Sequence, residues 1–279
     1  MPPPLFNPSK LLLIAGPCAL ESSDMAHEVA ATLRQIQNQN EENLQVIFKA
    51  SFDKANRTHI NNPRGVGLEE GLEILDDIKS TYQLPVLTDI HLPEQAARVA
   101  PICDVIQIPA FLCRQTDLLI AAAQSNRTVN IKKGQFLSPT DMQFVVEKLK
   151  TLHAVEIWQT ERGTSFGYGN LVVDMRAFPI LKENACPVIF DATHSLQMPG
   201  LGVGYTSGDR RYVEPLAKAA LAAGAQGIFV ETHPNPAKAL SDQATQIPLK
   251  HFHALVECCL GLWRYLKKTS KTTLTFEMD

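Results

Sequence analysis

The sequence predicts a single (β/α)8 barrel (TIM barrel) over residues 1–279, and two observations lead to this prediction. Eight short apolar runs, rich in β-branched residues, alternate with segments that carry apolar residues at helical spacing. No linker or change in composition divides the chain. An open doubly wound sheet also alternates strands and helices, but it typically has about five or six strands and a glycine-rich first turn. Here the first turn is Gly16-Pro17-Cys18, so a closed barrel is favoured.

The predicted strands are apolar runs, each followed by a turn or a polar segment. In order they are Leu11–Gly16, Val46–Ser51, Pro85–Ile90, Val105–Pro109, Thr128–Lys133, Val155–Gln159, Pro187–Thr193 and Gly227–Thr232. Residues 1–10 precede them as an N-terminal extension.

The predicted helices follow several of these strands. In order they are about Asp24–Gln37, Leu68–Thr81, a helix opened by Pro93, Gln115–Gln124, Thr140–Lys150 and Leu249–Leu266. Ser22 or Ser23 is available to cap the first of them. Residues 267–279 then form a C-terminal tail.

Composition narrows the classes of function. With 26 basic and 29 acidic residues the net charge is −3, which makes nucleic acid and anionic membranes poor partners. The apolar runs are too short to cross a bilayer, and the proline-rich start lacks the features of a signal peptide. The six cysteines show neither zinc-ribbon nor thioredoxin spacing. A protein of the reducing cytoplasm is expected.

Polar residues follow nearly every predicted strand. They are Cys18, Lys49, Lys54, Asp89, His91, Gln107, Lys132, Glu161, Arg162, Asp191, His194, Glu231 and His233. The carboxyl ends of barrel strands meet at one face, where enzymes of this fold have their active sites. One or two such residues could occur by chance, but a set that runs through all eight strands favours an enzyme over a structural barrel.

Three of these side chains and the downstream Asp242 form a candidate metal site: Cys18, His194, Glu231 and Asp242. A thiolate, an imidazole and two carboxylates suit Fe²⁺, Zn²⁺, Co²⁺ or Mn²⁺ better than calcium or magnesium. Taken singly, each residue has an ordinary explanation: a small buried cysteine, a loop histidine, or a carboxylate that accepts hydrogen bonds. The metal hypothesis depends on their convergence at neighbouring strands.

A second group is cationic and contains Lys49, Lys54, Lys132 and Arg162. Four cations at one barrel mouth repel one another unless an anion lies between them. A small substrate with a carboxylate and a phosphate would meet this need. The alternative is that the lysines pair separately with carboxylates of the chain, which are Asp53, Asp89 or Glu161.

Two further features lie in loops. Arg57 and Arg114 suit a second phosphate, with Asn56 and Thr58 beside Arg57, although exposed arginines are common. The glycine-rich segment 197–208 could close over the site as a lid, or it could be a simple surface segment.

Five long motifs resemble the 3-deoxy-D-manno-octulosonate 8-phosphate synthase family, and the resemblance covers roughly residues 11–266. They are AGPCALES at 15–22, KASFDKANR at 49–57, IQIPAFLCRQTDL at 106–118, VVDMRAFPI at 172–180 and VIFDATHSLQ at 188–197. The sister family, 3-deoxy-D-arabino-heptulosonate 7-phosphate synthase, shares the AGPC element. It has a Lys-Pro-Arg-Thr-like segment in place of residues 54–57, so Asn56 and Arg57 distinguish a five-carbon from a four-carbon acceptor.

The resemblance implies that phosphoenolpyruvate condenses with D-arabinose 5-phosphate and water, giving the eight-carbon acid phosphate of lipopolysaccharide (KDO) biosynthesis and inorganic phosphate. The alternative is the sister reaction with erythrose 4-phosphate. Cys18 implies the metal-dependent branch, with His194, Glu231 and Asp242 as further ligands and Asp242 as a proton acceptor.

The resemblance also implies roles for the other residues. Lys49 and Lys54 would hold the carboxylate of phosphoenolpyruvate, while Lys132, Arg162, Gln107 and the Ala110 backbone would hold its phosphate. Asn56, Arg57, Thr58 and Asp89 would bind the sugar phosphate, and Arg114 would come from another subunit of a homotetramer.

Some features depart from the family, and other classes of function stay open. Gly134 stands where proline is expected and Leu92 where glutamate is expected. The N-terminal extension is shorter than the barrel-capping hairpin of some relatives. A Schiff-base aldolase that uses Lys132 or Lys49 is one rival class, and a non-catalytic barrel that binds phosphate or metal is another.

Overall fold

The computed structural model describes residues 3–166, 169–199 and 207–269, and the predicted barrel is confirmed there. Strands β1 to β8 are Leu11–Gly16, Leu44–Lys49, Val86–Asp89, Val105–Ile108, Thr128–Lys132, Glu156–Glu161, Val188–Asp191 and Gly227–His233. Each pairs in parallel with the next one. The last strand pairs with the first, with Leu12 opposite Gly227, so the sheet is closed.

One helix follows each barrel strand. Helices α1 to α8 are Ser23–Gln39, Leu68–Tyr82, Pro93–Val99, Thr116–Gln124, Met142–Thr151, Ala177–Lys182, Val213–Ala222 and Leu249–Thr269. Ser22 caps α1, because its side chain accepts a hydrogen bond from the Met25 backbone. Two-residue strands add three small pairings: Thr164–Ser165 with Leu171–Val172, Gln197–Met198 with Ser207–Gly208, and Ile247–Pro248 with β8.

The structure corrects several boundaries and adds two helices. Strand β2 starts and ends two residues before its predicted limits, because beyond Lys49 only an isolated bridge joins Ser51 to Ala19. Helices α6 and α7 are not predicted from the sequence. Each contains a proline in its first turn, Pro179 or Pro215, where the missing N–H costs no helical hydrogen bond.

Apolar side chains fill two layers. The larger layer lies between the barrel and the helices, and the smaller one lies inside the barrel. The inner layer consists of Leu12, Ile14, Ile47, Leu87, Val105, Trp158, Ile189 and Phe229. These positions alternate with outward-facing ones along each strand. The inner apolar residues fill the barrel below the carboxyl ends of its strands. The polar residues at those strand ends therefore surround the open end of the barrel, called the mouth below.

The N-terminal extension closes the opposite end of the barrel without forming a strand. Leu5 and Phe6 pack against the inner layer, and their backbone N–H groups donate to the Glu156 carboxylate at 2.9 and 3.2 Å. The Gln45 side chain donates to the Leu5 carbonyl at 2.6 Å. A short segment therefore covers the floor with backbone hydrogen bonds.

At the other terminus α8 extends to Thr269, three residues beyond its predicted end at Leu266. Residues 270–279 of the predicted tail lie outside the described part of the chain. Within the described ranges, no helix combines the length and the apolar character that crossing a membrane requires.

Candidate active site

A cavity of about 910 Å³ opens at the carboxyl ends of the barrel strands. The structure brings twelve of the predicted site residues to its wall. They are Lys49, Lys54, Asn56, Arg57, Thr58, Asp89, Gln107, Ala110, Lys132, Arg162, His194 and Asp242. Their convergence follows from the closed parallel barrel, which points all strand ends towards one face.

The four predicted metal ligands lie together beside this cavity. One ligand atom from each of Cys18, His194, Glu231 and Asp242 falls within 4.8 Å of all the others. The Cys18 thiol donates to Asp242 Oδ2 at 3.2 Å. His194 Nε2 lies 3.4 Å from Glu231 Oε1 and 3.9 Å from Asp242 Oδ2. The distances place a sulfur, a nitrogen and two carboxylate oxygens around one point.

The charge state of this cluster fits a divalent cation. Burial, reinforced by the negative charge of Glu231, raises the pKa of the Cys18 thiol well above its ordinary value. Burial also opposes ionisation of Asp242, but His194 and Lys54 outweigh it and lower its pKa to about 2. Glu231 Oε2 is buried and has no hydrogen-bond partner among the described residues. A metal ion would satisfy that oxygen and replace the thiol proton, so the residues fit one.

Asp191 orients His194. Its Oδ2 lies 2.7 Å from His194 Nδ1, and its Oδ1 accepts the His194 backbone N–H at 2.9 Å. This arrangement leaves Nε2 to face Glu231 and Asp242. A carboxylate on the far nitrogen of an imidazole is the usual means of fixing the ring of a metal-binding histidine.

The cations of the cavity have protein carboxylates as partners. Lys49 Nζ lies 2.7 Å from Glu231 Oε1 and donates to the Cys18 carbonyl at 2.9 Å. Lys132 Nζ contacts Asp191. Burial lowers the pKa of Lys132 to about 8, against the opposing effect of Asp191. The cations that were expected to surround a bound anion are therefore partly neutralised by carboxylates on other strands.

The alternative pairing of these lysines with Asp53 and Glu161 is wrong. Asp53 Oδ1 accepts from Arg64 Nε at 2.7 Å, and Glu161 Oε1 accepts the Gly163 backbone N–H at 2.6 Å, with Lys133 Nζ at 3.6 Å. Arg64 therefore pairs with Asp53, and Gly163 and Lys133 approach one oxygen of Glu161, whose other oxygen is buried without a partner among the described residues. The cavity lysines Lys49 and Lys132 instead contact carboxylates on other strands.

Asp89 is the third carboxylate of that alternative. It belongs to a small hydrogen-bond network with Lys54. Lys54 Nζ donates to Ser51 Oγ at 3.0 Å, and that hydroxyl contacts Asp89. His91 Nε2 lies 3.1 Å from Asp89 Oδ2. Burial opposes ionisation of Asp89, but the hydrogen bond from His91 and the charge of Lys54 hold its pKa well below the ordinary range. Asp89 is thus an ionised acceptor at the cavity wall.

Two further side chains of the cavity wall, Arg162 and Gln107, keep donor groups that can bind a ligand. Arg162 Nη2 donates to the His194 carbonyl at 3.2 Å and contacts Gln197, while its buried Nη1 has no partner among the described residues. Gln107 Oε1 accepts from Asn130 Nδ2 at 2.9 Å, which leaves the Gln107 amide N–H groups for a ligand. Both side chains can donate to an anion without breaking an existing contact.

Arg57 is hydrogen-bonded to the loop on the other side of the cavity mouth, whereas Arg114 does not line the cavity. Arg57 Nη1 donates to Ser241 Oγ at 2.8 Å, and its Nη2 contacts the Leu240 carbonyl. Asn56 and Thr58 flank it on the rim. Arg114 is exposed and is not among the residues that line the cavity.

The cavity wall also contains residues without a predicted role. They include Ser51, Gln135, Gln197, Arg210 and the residues of the loop 237–244 other than Asp242. Gln197 ends one of the quoted motifs, and Gln135 follows the paired lysines, so both had a signal in the sequence. The loop had no such signal apart from Asp242, because only the folded chain shows that it returns over the mouth. The predicted lid spans residues 197–208. Its two ends pair as the short strands Gln197–Met198 and Ser207–Gly208, whereas residues 200–206 lie outside the described residues, so closure of the lid stays a prediction.

Comparison with known proteins gives a consistent result. Residues 7–267 match the model of the DAHP synthetase I family. Curated relatives from Brucella ovis, Brucella melitensis and Brucella canis are each 51% identical over 261 residues, which is 94% of this chain and 94% of the relative. Each is named 2-dehydro-3-deoxyphosphooctonate aldolase.

Proposed function

The chain belongs to the DAHP synthetase I family, and on that premise we propose that it is an octulosonate 8-phosphate synthase. It condenses phosphoenolpyruvate with D-arabinose 5-phosphate and water, and it releases 3-deoxy-D-manno-octulosonate 8-phosphate and inorganic phosphate. The product serves lipopolysaccharide biosynthesis. The printed name of the relatives supports this reaction.

One observation carries the proposal: a single cavity contains two groups of anion-binding residues. Lys49, Lys54, Lys132 and Arg162 lie at the strand ends, and Arg57 lies on the rim. Two phosphorylated substrates can therefore bind with their reactive carbons between the two groups. A cavity of about 910 Å³ is of the size that small-molecule sites usually have.

The reaction forms new bonds at C2 and C3 of phosphoenolpyruvate and breaks two, the C2–C3 π bond and the bond from C2 to the phosphate oxygen. C3 uses the π electrons to attack the aldehyde carbon of the sugar, whose oxygen takes up a proton. Water adds to C2, and its oxygen becomes the C2 carbonyl of the product as both of its protons are released and phosphate leaves. Positive charge develops at C2 and negative charge at the aldehyde oxygen, so the site must stabilise both.

The chain's own side chains bind and orient the first substrate. Lys49 and Lys54 hold the carboxylate of phosphoenolpyruvate. Lys132 and Arg162 hold its phosphate together with two further donors, the Gln107 amide and the Ala110 backbone. Fixing the anion at both ends aligns C2 and C3 before the second substrate reacts.

Other side chains handle the sugar and the protons. Asn56, Arg57 and Thr58 bind the phosphate end of arabinose 5-phosphate, and the ionised Asp89 accepts from a sugar hydroxyl. The low pKa of Asp242 keeps its carboxylate ionised at neutral pH, the state in which Oδ2 can accept a proton from the attacking water.

The metal site forms the third part of the proposal. Cys18, His194, Glu231 and Asp242 would hold Fe²⁺, Zn²⁺, Mn²⁺ or Co²⁺. Such an ion would supply Lewis-acid chemistry at this side of the cavity.

A homotetramer is the proposed assembly, in which Arg114 reaches the cavity of a neighbouring subunit. Two features support it. Arg114 is exposed and lies outside its own cavity lining. Phe111 and Phe136 are 56% and 58% exposed, so they offer apolar surface that a neighbouring subunit would cover. A cytoplasmic location stays a prediction from the cysteine pattern.

One assay separates the candidate functions. The purified protein is given phosphoenolpyruvate, a divalent metal and either arabinose 5-phosphate or erythrose 4-phosphate, and phosphate release is measured. Asn56 and Arg57, together with the relatives' name, favour the five-carbon acceptor over erythrose 4-phosphate. A Schiff-base aldolase would instead give a borohydride-trapped adduct on Lys132 or Lys49. A non-catalytic barrel would bind ligand without releasing phosphate.

A further inference from the structure

We propose that Glu21 is a positioning residue for the arabinose 5-phosphate site, acting through the loop that holds Arg57. This inference rests on the proposed function and adds a residue to it. Glu21 belongs to the AGPCALES motif, and no part of the mechanism above uses it.

The Glu21 carboxylate fastens the loop after β8 to the loop after β1. Its Oε1 accepts the Leu240 backbone N–H at 2.8 Å. Its Oε2 lies 3.5 Å from His233 Nε2. The Asn235 backbone N–H donates to His233 Nδ1 at 2.9 Å, so a neutral ring carries its proton on Nε2, facing Glu21. One partly buried carboxylate thus contacts both the start and the middle of the loop.

The same loop residue that Glu21 holds also holds Arg57. The Leu240 N–H donates to Glu21, while the Leu240 carbonyl contacts Arg57 Nη2. The next residue, Ser241, accepts from Arg57 Nη1 at 2.8 Å. A continuous chain of hydrogen bonds therefore joins the loops after β1, β8 and β2, and Arg57 is at its end.

The loop needs such a fastening because it has little regular structure. Between His233 and the short strand Ile247–Pro248 it contains only the 3-10 turn Pro236–Lys238. Within it, the Gln246 side chain holds the Ser241 carbonyl at 2.8 Å, which anchors its second half. Glu21 is the acceptor of the Leu240 backbone N–H. Other contacts from outside the loop hold later residues of it: the Gln197 amide donates to Asp242 Oδ1 at 2.6 Å, and Arg210 Nε donates to the Ala244 carbonyl at 3.2 Å. Without Glu21, the Leu240 backbone, whose carbonyl contacts Arg57, loses its connection to the loop after β1.

The experiment compares three variants of Glu21 in the full chain, assayed by phosphate release with saturating Mn²⁺. Glu21→Ala removes the acceptor, and we expect the KM for arabinose 5-phosphate to rise about 10-fold, with the KM for phosphoenolpyruvate changed less than about twofold. Glu21→Gln keeps an acceptor oxygen and should stay within about threefold of the parent. If Glu21→Ala does not fold, Glu21→Asp, which is one methylene shorter, should show the same selective rise.

Glu156→Ala is the matched control. Glu156 is also a partly buried carboxylate that accepts backbone N–H groups of a distant segment, but at the opposite end of the barrel. It should lower thermal stability and leave both KM values unchanged. The inference is overturned if Glu21→Ala, or Glu21→Asp in its place, leaves the KM for arabinose 5-phosphate unchanged. It is also overturned if that variant raises both KM values equally. An inactive parent protein would instead refute the proposed function, so the two failures are distinguishable.

Discussion

The ammonium nitrogen of Lys132 lies 3.3 Å from the centroid of the Phe229 ring, inside the barrel. Phe229 is fully buried, and its ring also lies 5.5 Å from Lys49 Nζ and 5.7 Å from the His194 ring. The negative face of an aromatic ring attracts a cation, by about 2 kcal/mol where water is excluded. The buried Phe229 ring therefore lies beneath the cavity and stabilises the ammonium groups of Lys132 and Lys49, which are proposed to bind phosphoenolpyruvate.

Replacement of Phe229 by leucine should weaken phosphoenolpyruvate binding. We expect Phe229→Leu to raise the KM for phosphoenolpyruvate about fivefold, equivalent to about 1 kcal/mol, because Lys132 loses its aromatic partner. Steady-state kinetics at saturating arabinose 5-phosphate measures this. Phe178→Leu is the control, since Phe178 is equally buried but packs in the layer between barrel and helices. Equal changes in KM in both variants would show that a lost ring anywhere has the same effect.

Removal of metal should abolish turnover. Because Cys18, His194, Glu231 and Asp242 place four donor atoms around one point, we expect a chelator to remove activity and Mn²⁺, Fe²⁺ or Co²⁺ to restore it. Cys18→Asn should keep partial activity that a chelator does not affect. Full turnover by metal-free parent protein would exclude a metal from the mechanism, and a folded but inactive Cys18→Asn would contradict the simple exchange.

Glu21 should make the free energy of unfolding depend on pH in the acid range. Burial opposes its ionisation, but the nearby His233 ring and the hydrogen bond from the Leu240 N–H lower its pKa below the ordinary value of 4.5. A carboxyl whose pKa is lower in the folded state stabilises the fold above the unfolded pKa, and this stabilisation is lost as pH falls through the folded pKa. The difference in unfolding free energy between the parent and Glu21→Gln should therefore shrink from pH 7 towards pH 3. Denaturant unfolding measures it, and a constant difference would contradict the assignment.

The contacts that cover the amino-terminal end of the barrel should contribute to folding stability and not to turnover. Glu156 accepts the backbone N–H groups of Leu5 and Phe6 and the Thr128 hydroxyl. Glu156→Ala leaves these donors without a partner, and we expect the free energy of unfolding to fall by about 2 kcal/mol. Turnover at the far end of the barrel should be unchanged. A loss of kcat in fully folded variant protein would show that the two ends are coupled.

The barrel and most cavity residues could be predicted because local patterns encode them. An apolar run such as residues 11–16 reads as a strand wherever it lies, and a closed barrel brings the residues after each strand to one face. The ion pairs could not be predicted in the same way. Lys49 and Glu231 are 182 residues apart in the chain, and Arg57 and Ser241 are 184 apart. Only the closed fold determines which strand ends face each other.

Weak local signals account for the other differences. Helices α6 and α7 contain proline, which reads as a helix breaker unless its place in the first turn is known. Phe229 lies in an apolar strand, and no sequence pattern shows that two lysines from other strands extend over its ring. The contact of Glu21 with Leu240 joins two loops 219 residues apart.

The acceptor preference tests the central claim most directly. The protein is supplied with Mn²⁺ and phosphoenolpyruvate, and the initial rate of phosphate release is measured with arabinose 5-phosphate and with erythrose 4-phosphate. We predict a kcat/KM at least about 100-fold higher for arabinose 5-phosphate, because Asn56 and Arg57 are proposed to bind the longer sugar. A preference for erythrose 4-phosphate, or no phosphate release with either sugar, would contradict the account.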